Sequence, residues 1–154
     1  MAKPPTTRTT AFSSNLRSPS TVVRILVVDD FEPFRRFVCA TLEARPELQV
    51  IGEASDGLEA VQKAEELRPD LIFLDIGLPT LSGIEVASRI ARLVPAAEIL
   101  FISQDNDPDV VAAALSNGAR GFVHKPNAIT ELLPAVEAIL RGDRWPAKGL
   151  ISES

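Results

Sequence analysis

Five apolar runs of about five residues alternate along the chain with stretches that place apolar residues three or four positions apart. Runs this short and rich in Val, Ile and Leu are typical of buried strands in a parallel sheet, and the longer spacing is typical of one face of a helix. Short connections between alternating strands and helices predict a doubly wound α/β domain, with helices on both faces of a five-stranded parallel sheet. The predicted strands cover residues 24–28, 48–52, 71–75, 98–102 and 120–124.

Turn and capping residues delimit the predicted helices. Asp107 and Pro108 predict the N-cap and first position of the fourth helix, and Gly118 predicts its left-handed end. In the last helix Pro134 removes a backbone donor, so we expect a kink or a helix that begins nearer Pro134. The second helix is expected to turn inward Leu58, Val61, Ala64 and Leu67, and the last helix Ile129, Leu132, Leu133, Val136, Ile139 and Leu140.

Composition sets the limits of the domain and restricts its partners. Pro, Ser and Thr dominate residues 1–21, which predicts a disordered tail, a single domain over 22–142 and a short tail over 143–154. The net charge is −5, and the part after residue 21 carries 13 basic and 21 acidic side chains, a net charge of −8. Such a surface disfavours a phosphate backbone, so we expect no direct DNA binding. One cysteine and the lack of a long apolar stretch predict a cytoplasmic protein without a membrane anchor.

Polar residues follow or close four of the five predicted strands. Asp29 and Asp30 come after the first strand, Asp75 closes the third, Ser103 follows the fourth and Lys125 follows the fifth. The carboxyl ends of parallel strands meet at one edge of the sheet, where open α/β sheets bind their ligands. An acidic cluster without His or Cys favours Mg²⁺. Beside such an ion Asp75 could act as a nucleophile toward a phosphoryl group, with Lys125 and Ser103 compensating its charge.

These pieces, in this order, resemble the receiver domain of two-component response regulators over residues 24–141. The residues of the loop after Asp75 and of the Gly118–Phe122 segment are most similar to receivers of the family that usually carries a helix-turn-helix output. The matching segments are Val27-Val28-Asp29-Asp30, Asp75-Ile76-Gly77-Leu78-Pro79, Ser82-Gly83, Ser103, Gly118-Ala119-Arg120-Gly121-Phe122 and Lys125-Pro126.

The resemblance implies a flavodoxin-like sheet of order 2-1-3-4-5 and a role in phosphorelay signalling. Asp75 would accept a phosphoryl group from a histidine kinase or a phosphotransfer protein, Lys125 and Ser103 would hold that group, and Ser103 and Phe122 would act as switch residues. The domain would promote its own phosphorylation and dephosphorylation without being an enzyme. The fourth helix, fifth strand and fifth helix would form a docking surface for a downstream protein or for a homodimer. The implied Mg²⁺ ligands are Asp29, Asp30, Asp75 and the backbone carbonyl of Gly77.

Three features depart from the family pattern. Gln104 stands where a small Ala is usual and could narrow the approach to Asp75. Thr80 replaces a common Gly, so the loop backbone is expected to differ. The chain stops soon after Trp145, so the usual transcriptional output is not expected here. Trp145 itself is expected to cover the end of the last helix.

Two other functions stay open at this point. A phosphorylation-independent pseudo-receiver, which would only dock a partner, has Gln104 as its best support. An aspartyl-phosphate phosphohydrolase would need a second Asp two residues after its nucleophile, and here that position is Gly77. His124, the single histidine, lacks a partner at usable spacing and is expected to be an ordinary residue of the strand or the sheet edge.

Overall fold

In the computed structural model, which describes residues 21–146, five parallel strands form one sheet. The strands are β1 (Val23–Val28), β2 (Leu48–Ala54), β3 (Leu71–Asp75), β4 (Glu98–Ser103) and β5 (Gly121–His124). Their order is β2-β1-β3-β4-β5, which confirms the predicted 2-1-3-4-5 topology. The tail predicted ahead of residue 21 and the end of the chain from residue 147 lie outside the described residues.

Five helices alternate with these strands: α1 (Glu32–Glu43), α2 (Gly57–Leu67), α3 (Gly83–Leu93), α4 (Pro108–Ser116) and α5 (Ala128–Leu140). Buried residues of α2, α3 and α4 form one apolar cluster, and those of α1 and α5 form another. Successive residues of β1 belong to opposite clusters, as the alternation of side chains along a strand requires. The helices therefore cover both faces of the sheet. Within residues 21–146, no helix combines the length and apolarity that a bilayer crossing demands.

The predicted start and end of α4 are confirmed. Asp107 is the N-cap, its side chain accepts a hydrogen bond from the Asp109 amide, and Pro108 occupies the first turn. Gly118 follows the helix with a φ of +92°, which a glycine adopts without strain.

Two of the predicted inward positions are wrong, and one of the two alternatives for the last helix is excluded. Helix α5 begins at Ala128 and continues through Pro134, which is exposed, so the alternative start near Pro134 is excluded. Leu58 is 54% exposed and Ile129 is 81% exposed. The inward positions are instead taken by small residues, Ala60 on α2 and Ala128 on α5. Apolar spacing alone could not show that these helices lie close enough to their neighbours to favour alanine.

The segment after α5 lies against the outer edge of β5. The Phe122 amide donates to the Trp145 carbonyl at 2.8 Å, and the Trp145 amide donates to the Arg120 carbonyl at 3.0 Å. Trp145 is half-buried against the same apolar cluster as α5. Gly121 allows this approach, because a Cβ there would lie 3.0 Å from the Trp145 carbonyl oxygen. The pairing with β5 was not predicted from the sequence.

Candidate functional site

The carboxyl edge of the sheet collects the polar residues that the sequence places at strand ends. Asp75 is the last residue of β3 and Ser103 the last of β4, and both are buried. Asp29 directly follows β1 and is also buried. Lys125 directly follows β5. The parallel arrangement thus brings together the residues proposed from the sequence, as expected for strands of one direction.

The three acids form a cluster that could hold a divalent cation. One carboxylate oxygen of each of Asp29, Asp30 and Asp75 lies within 4.8 Å of the other two. Asp29 Oδ2 is buried and forms an ion pair with Lys125 Nζ at 2.8 Å. A cluster of hard carboxylate oxygens without His or Cys fits Mg²⁺ better than a softer metal.

Gly77 contributes to the same site through its backbone. Its amide donates to Asp75 Oδ1 at 3.0 Å, so this contact orients the central carboxylate. Gly77 also lines the cleft above Asp75, where its carbonyl was predicted to be a metal ligand. The amide contact was not predicted.

Lys125 lies between two carboxylates and an aromatic ring. Its Nζ is 2.8 Å from Asp29 Oδ2 and 3.3 Å from Asp75 Oδ2. It also lies 4.7 Å from the centre of the Phe34 ring, a distance typical of a cation–π contact. Burial alone would lower the pKa of Lys125, but the two carboxylates outweigh burial and raise it. The ammonium therefore stays charged at neutral pH.

The surroundings of Asp75 disfavour its ionised form. Burial, followed by the negative charge of Asp29, raises the pKa of Asp75 above its ordinary value. The Gly77 amide and Lys125 act in the opposite direction without cancelling the rise. A further cation at the acidic cluster would relieve this cost, which is a second reason to expect a metal ion.

The loop from β3 to α3 packs closely against the backbone of Asp75 and Ile76. The Gly83 amide donates to the Ile76 carbonyl at 2.8 Å, and a Cβ at Gly83 would lie 2.2 Å from the Asp75 carbonyl oxygen. The Ser82 side chain caps α3. The predicted loop difference concerns Thr80, which has a φ of +71°. This conformation suits glycine, so threonine is strained here.

A series of local turns organises the loop from β4 to α4. Ser103 Oγ accepts from the Asp105 amide at 3.0 Å, and Asp105 Oδ1 accepts from the Asp107 amide at 2.9 Å. The His124 ring lies at the sheet edge with Nε2 2.8 Å from the Gln104 carbonyl oxygen. The Ser103 hydroxyl thus belongs to a hydrogen-bonded loop that contacts β5 through His124. Individual Asp and Ser residues signal turns in the sequence, but their linkage appears only in the structure.

An open cleft of about 660 Å³ leads to Asp75. The exposed residue Gln104 is part of its wall. Phe122 does not line this cleft, because its ring is buried in the cluster beneath α4 and is only 3% exposed. Other residues of the cleft wall are Phe31, Phe34, Ile76, Val110 and Pro126.

Residues 25–137 match the family described as the response regulator receiver domain. The chain belongs to this family. The match lies inside the domain predicted for 22–142, and it confirms the resemblance inferred from the motifs. The family is that of phosphorelay response regulators, whose receivers generally bind Mg²⁺ at an acidic pocket.

The chain is similar to curated relatives with different outputs. It is 36% identical over 122 residues to the transcriptional regulatory protein LiaR of Bacillus subtilis (strain 168), covering 79% of this chain and 58% of LiaR. The chain thus spans little more than half the length of that relative. It is 33% identical over 116 residues to the chemotaxis protein CheY of Listeria monocytogenes, covering 75% of this chain and 97% of CheY.

A solved structure gives the same result for the fold. A two-component response regulator of the LuxR family from Aurantimonas sp. SI85-9A1 superposes with a TM-score of 0.79 at 34% identity. The superposition covers 86% of this chain and 94% of that chain. The similarity to receivers of this family agrees with the expectation from the loop and β5 motifs.

Proposed function

We propose that this protein is a phosphorylatable receiver in which Asp75 accepts a phosphoryl group from a histidine kinase or a phosphotransfer protein. One arrangement carries the proposal: Asp75 Oδ2 lies 3.3 Å from Lys125 Nζ. The oxygens of Asp29 and Asp30 lie within 4.8 Å of those of Asp75. A nucleophile, a positive charge and a cation site therefore share one buried edge.

Phosphoryl transfer from a phosphohistidine needs no further catalytic group from this chain. A carboxylate oxygen of Asp75 attacks phosphorus, and the new P–O bond forms as the P–N bond breaks. The other ring nitrogen of the donor histidine carries a proton, so the imidazole that leaves with the bonding pair is neutral. Lys125 offers a point charge to the phosphoryl oxygens, and the Ser103 hydroxyl offers a hydrogen-bond donor.

We assign the divalent cation to Asp29, Asp30, Asp75 and the carbonyl of Gly77. Bound Mg²⁺ would neutralise charge on the carboxylates and on the incoming phosphoryl group. The clustering of one carboxylate oxygen from each of the three acids within 4.8 Å supports this assignment.

The proposed switch begins at Ser103. Its Oγ accepts from the Asp105 amide at 3.0 Å, so a reorientation of Ser103 toward a phosphoryl group would act on the β4–α4 loop. Phe122 is buried against the same cluster as Val111 and Ala114 of α4. A change at either residue would reach the surface formed by α4, β5 and α5, which we propose as the docking surface for a downstream protein or a second copy.

The output has two candidates. A single-domain receiver that docks a protein, with no DNA contact of its own, agrees with the acidic charge of the body and with 97% coverage of the CheY relative. A transcriptional output is the second candidate, favoured by 36% identity to LiaR, a relative named as a transcriptional regulatory protein. The cytoplasmic location stays a prediction.

The two alternatives from the sequence are disfavoured on specific grounds. The phosphohydrolase needs a second Asp two residues after its nucleophile, and that position is Gly77, whose amide donates to Asp75. We therefore propose no enzymatic turnover. A pseudo-receiver is disfavoured because Lys125 forms ion pairs with Asp29 and Asp75, and one carboxylate oxygen of each of the three acids lies within 4.8 Å of the others.

Intact mass spectrometry after incubation with acetyl phosphate and Mg²⁺ tests the proposal. We expect one added phosphoryl group that hydroxylamine removes, and none on Asp75→Ala. The control is Asp143→Ala, since Asp143 is an exposed residue paired with Arg141. Phosphorylation of Asp75→Ala to the extent of the unmodified protein would refute the assignment.

A further inference from the structure

Arg35 connects the acidic edge to a neighbouring strand. It lies in the first turn of α1, and its side chain is only 17% exposed. Its Nη1 donates to the backbone carbonyl of Asp29 at 2.9 Å, and its Nε donates to Glu53 Oε1 at 2.8 Å. A planar guanidinium with donors on two partners is held in one orientation.

The contacts of Arg35 form a closed ring around Asp29. The Asp29 amide donates to the Ala54 carbonyl at 3.0 Å, and Ala54 follows Glu53 at the end of β2. Glu53 binds Arg35, and Arg35 returns to the Asp29 carbonyl. The main chain on both sides of Asp29 is thereby fixed, the amide by β2 and the carbonyl by α1.

We infer that Arg35 is a positioning residue for the divalent cation site, acting through the peptide that joins Asp29 to Asp30. The carbonyl that Arg35 binds belongs to this peptide, so loss of the contact would release both acids together. The inference rests on the proposed function, because it concerns the cation that the receiver would use. Arg35 has no ion pair with the acidic cluster among the described residues, and its effect is therefore indirect.

The positive charge of Arg35 and its contact with the Asp29 carbonyl would affect Mg²⁺ binding in opposite directions. A cation near the site repels Mg²⁺, so removal of the charge alone would strengthen metal binding. The Glu53 carboxylate at 2.8 Å offsets most of that charge, which leaves the positional effect dominant. Arg36 provides a matched control, since it is the next residue of α1, is 75% exposed and pairs with Glu32.

Isothermal titration of the full chain with Mg²⁺ tests this role. We expect Arg35→Met to bind roughly tenfold more weakly, as is common when a residue that orients a metal ligand is removed. Arg35→Lys, which can reach one partner but not both, should fall between Arg35→Met and the unmodified protein. Arg36→Met makes the same change in net charge and should stay within about twofold of the unmodified protein, because exposed ion pairs contribute little.

A kinetic measurement distinguishes a displaced cation site from a general loss of structure. For Arg35→Met, the Mg²⁺ concentration that half-saturates phosphorylation by acetyl phosphate should rise, while the rate at saturating Mg²⁺ stays unchanged. Circular dichroism in EDTA reports whether the variant is folded. If Arg35→Met does not fold, Arg35→Lys and Arg35→Gln replace it, and weaker Mg²⁺ binding by both supports the inference.

The outcomes that overturn the inference are distinct from those that overturn the proposed function. Unchanged Mg²⁺ affinity in Arg35→Met, or in both replacement variants, refutes the role of Arg35 alone. An equal loss of affinity in Arg36→Met also refutes it, because the loss would then not depend on the contact between Arg35 and the Asp29 carbonyl. Failure of the unmodified protein to bind Mg²⁺ overturns the proposed cation site and this inference with it.

Discussion

The Lys125 ammonium lies closer to Asp29 than to the proposed phosphoacceptor, at 2.8 Å from Asp29 Oδ2 and 3.3 Å from Asp75 Oδ2. One positive charge therefore serves two buried carboxylates. The pKa of Asp75 is raised by burial and by the charge of Asp29 even with Lys125 in place. Ionisation of Asp75 therefore has a free-energy cost in the folded protein.

This cost predicts that Asp75→Asn stabilises the protein at neutral pH in EDTA. An acid whose pKa is raised by folding contributes stability below its unfolded pKa and loses it as pH rises through the folded pKa. The gain should therefore be present at pH 7, on the order of 1 kcal/mol, and disappear near pH 4. Urea denaturation at both pH values measures it. A gain of equal size at both pH values would contradict the electrostatic explanation.

Thr80→Gly should raise the free energy of unfolding. Thr80 has a φ of +71°, and a β-branched residue in this region costs about 1–3 kcal/mol. We expect a gain of roughly 1 kcal/mol, because glycine also loses more chain entropy on folding. Thr80→Ala keeps the Cβ and should gain less. Thermal and urea denaturation give the values, and a loss of stability in Thr80→Gly would refute the strain.

Two glycines of the same loop should respond differently to alanine. At Gly83 a Cβ would lie 2.2 Å from the Asp75 carbonyl oxygen, and backbone rather than a flexible side chain blocks it. Gly83→Ala should therefore destabilise the protein by roughly 2 kcal/mol or more. At Gly77 the nearest atom would be Asp75 Oδ1 at 3.8 Å, an ordinary contact, so Gly77→Ala should unfold at nearly the unmodified denaturant concentration. Equal losses at the two positions would contradict the tight loop.

Gln104→Ala should speed phosphorylation by acetyl phosphate several-fold. Gln104 is an exposed residue of the cleft wall, and its carbonyl oxygen lies 2.8 Å from His124 Nε2. Shortening the side chain widens the approach to Asp75 and leaves that backbone contact available. Asn106→Ala serves as the control, since Asn106 is exposed in the same loop. Initial rates of phosphorylation at a fixed Mg²⁺ concentration measure the effect. Equal rates for the two variants would show that Gln104 does not limit access to Asp75.

Much of the site could be predicted because it depends on strand ends. Asp29, Asp75, Ser103 and Lys125 each follow or close a short apolar run, and parallel strands bring such ends to one edge. The sheet order came from the resemblance and agrees with the structure. The positions nearest the chemistry were therefore the most predictable.

The supporting contacts could not be predicted because they depend on how separate elements approach each other. Phe34 is one apolar position of α1 in the sequence, and only the packing of α1 brings its ring 4.7 Å from Lys125. In the sequence, Arg35 is one charged residue of α1 among several. Only the packing of α1 against β2 brings Glu53 beside it. Leu58 was wrongly expected to be buried, because the spacing does not reveal which side of α2 fits closely against α3.

The pairing of Trp145 with β5 has a consequence for signal output. The Trp145 carbonyl accepts from the amide of Phe122, the proposed switch residue, at 2.8 Å. The segment that ends at Pro146 is thus anchored to the strand that carries the proposed switch residue. Any displacement of β5 would therefore move Trp145 directly, without an intervening partner.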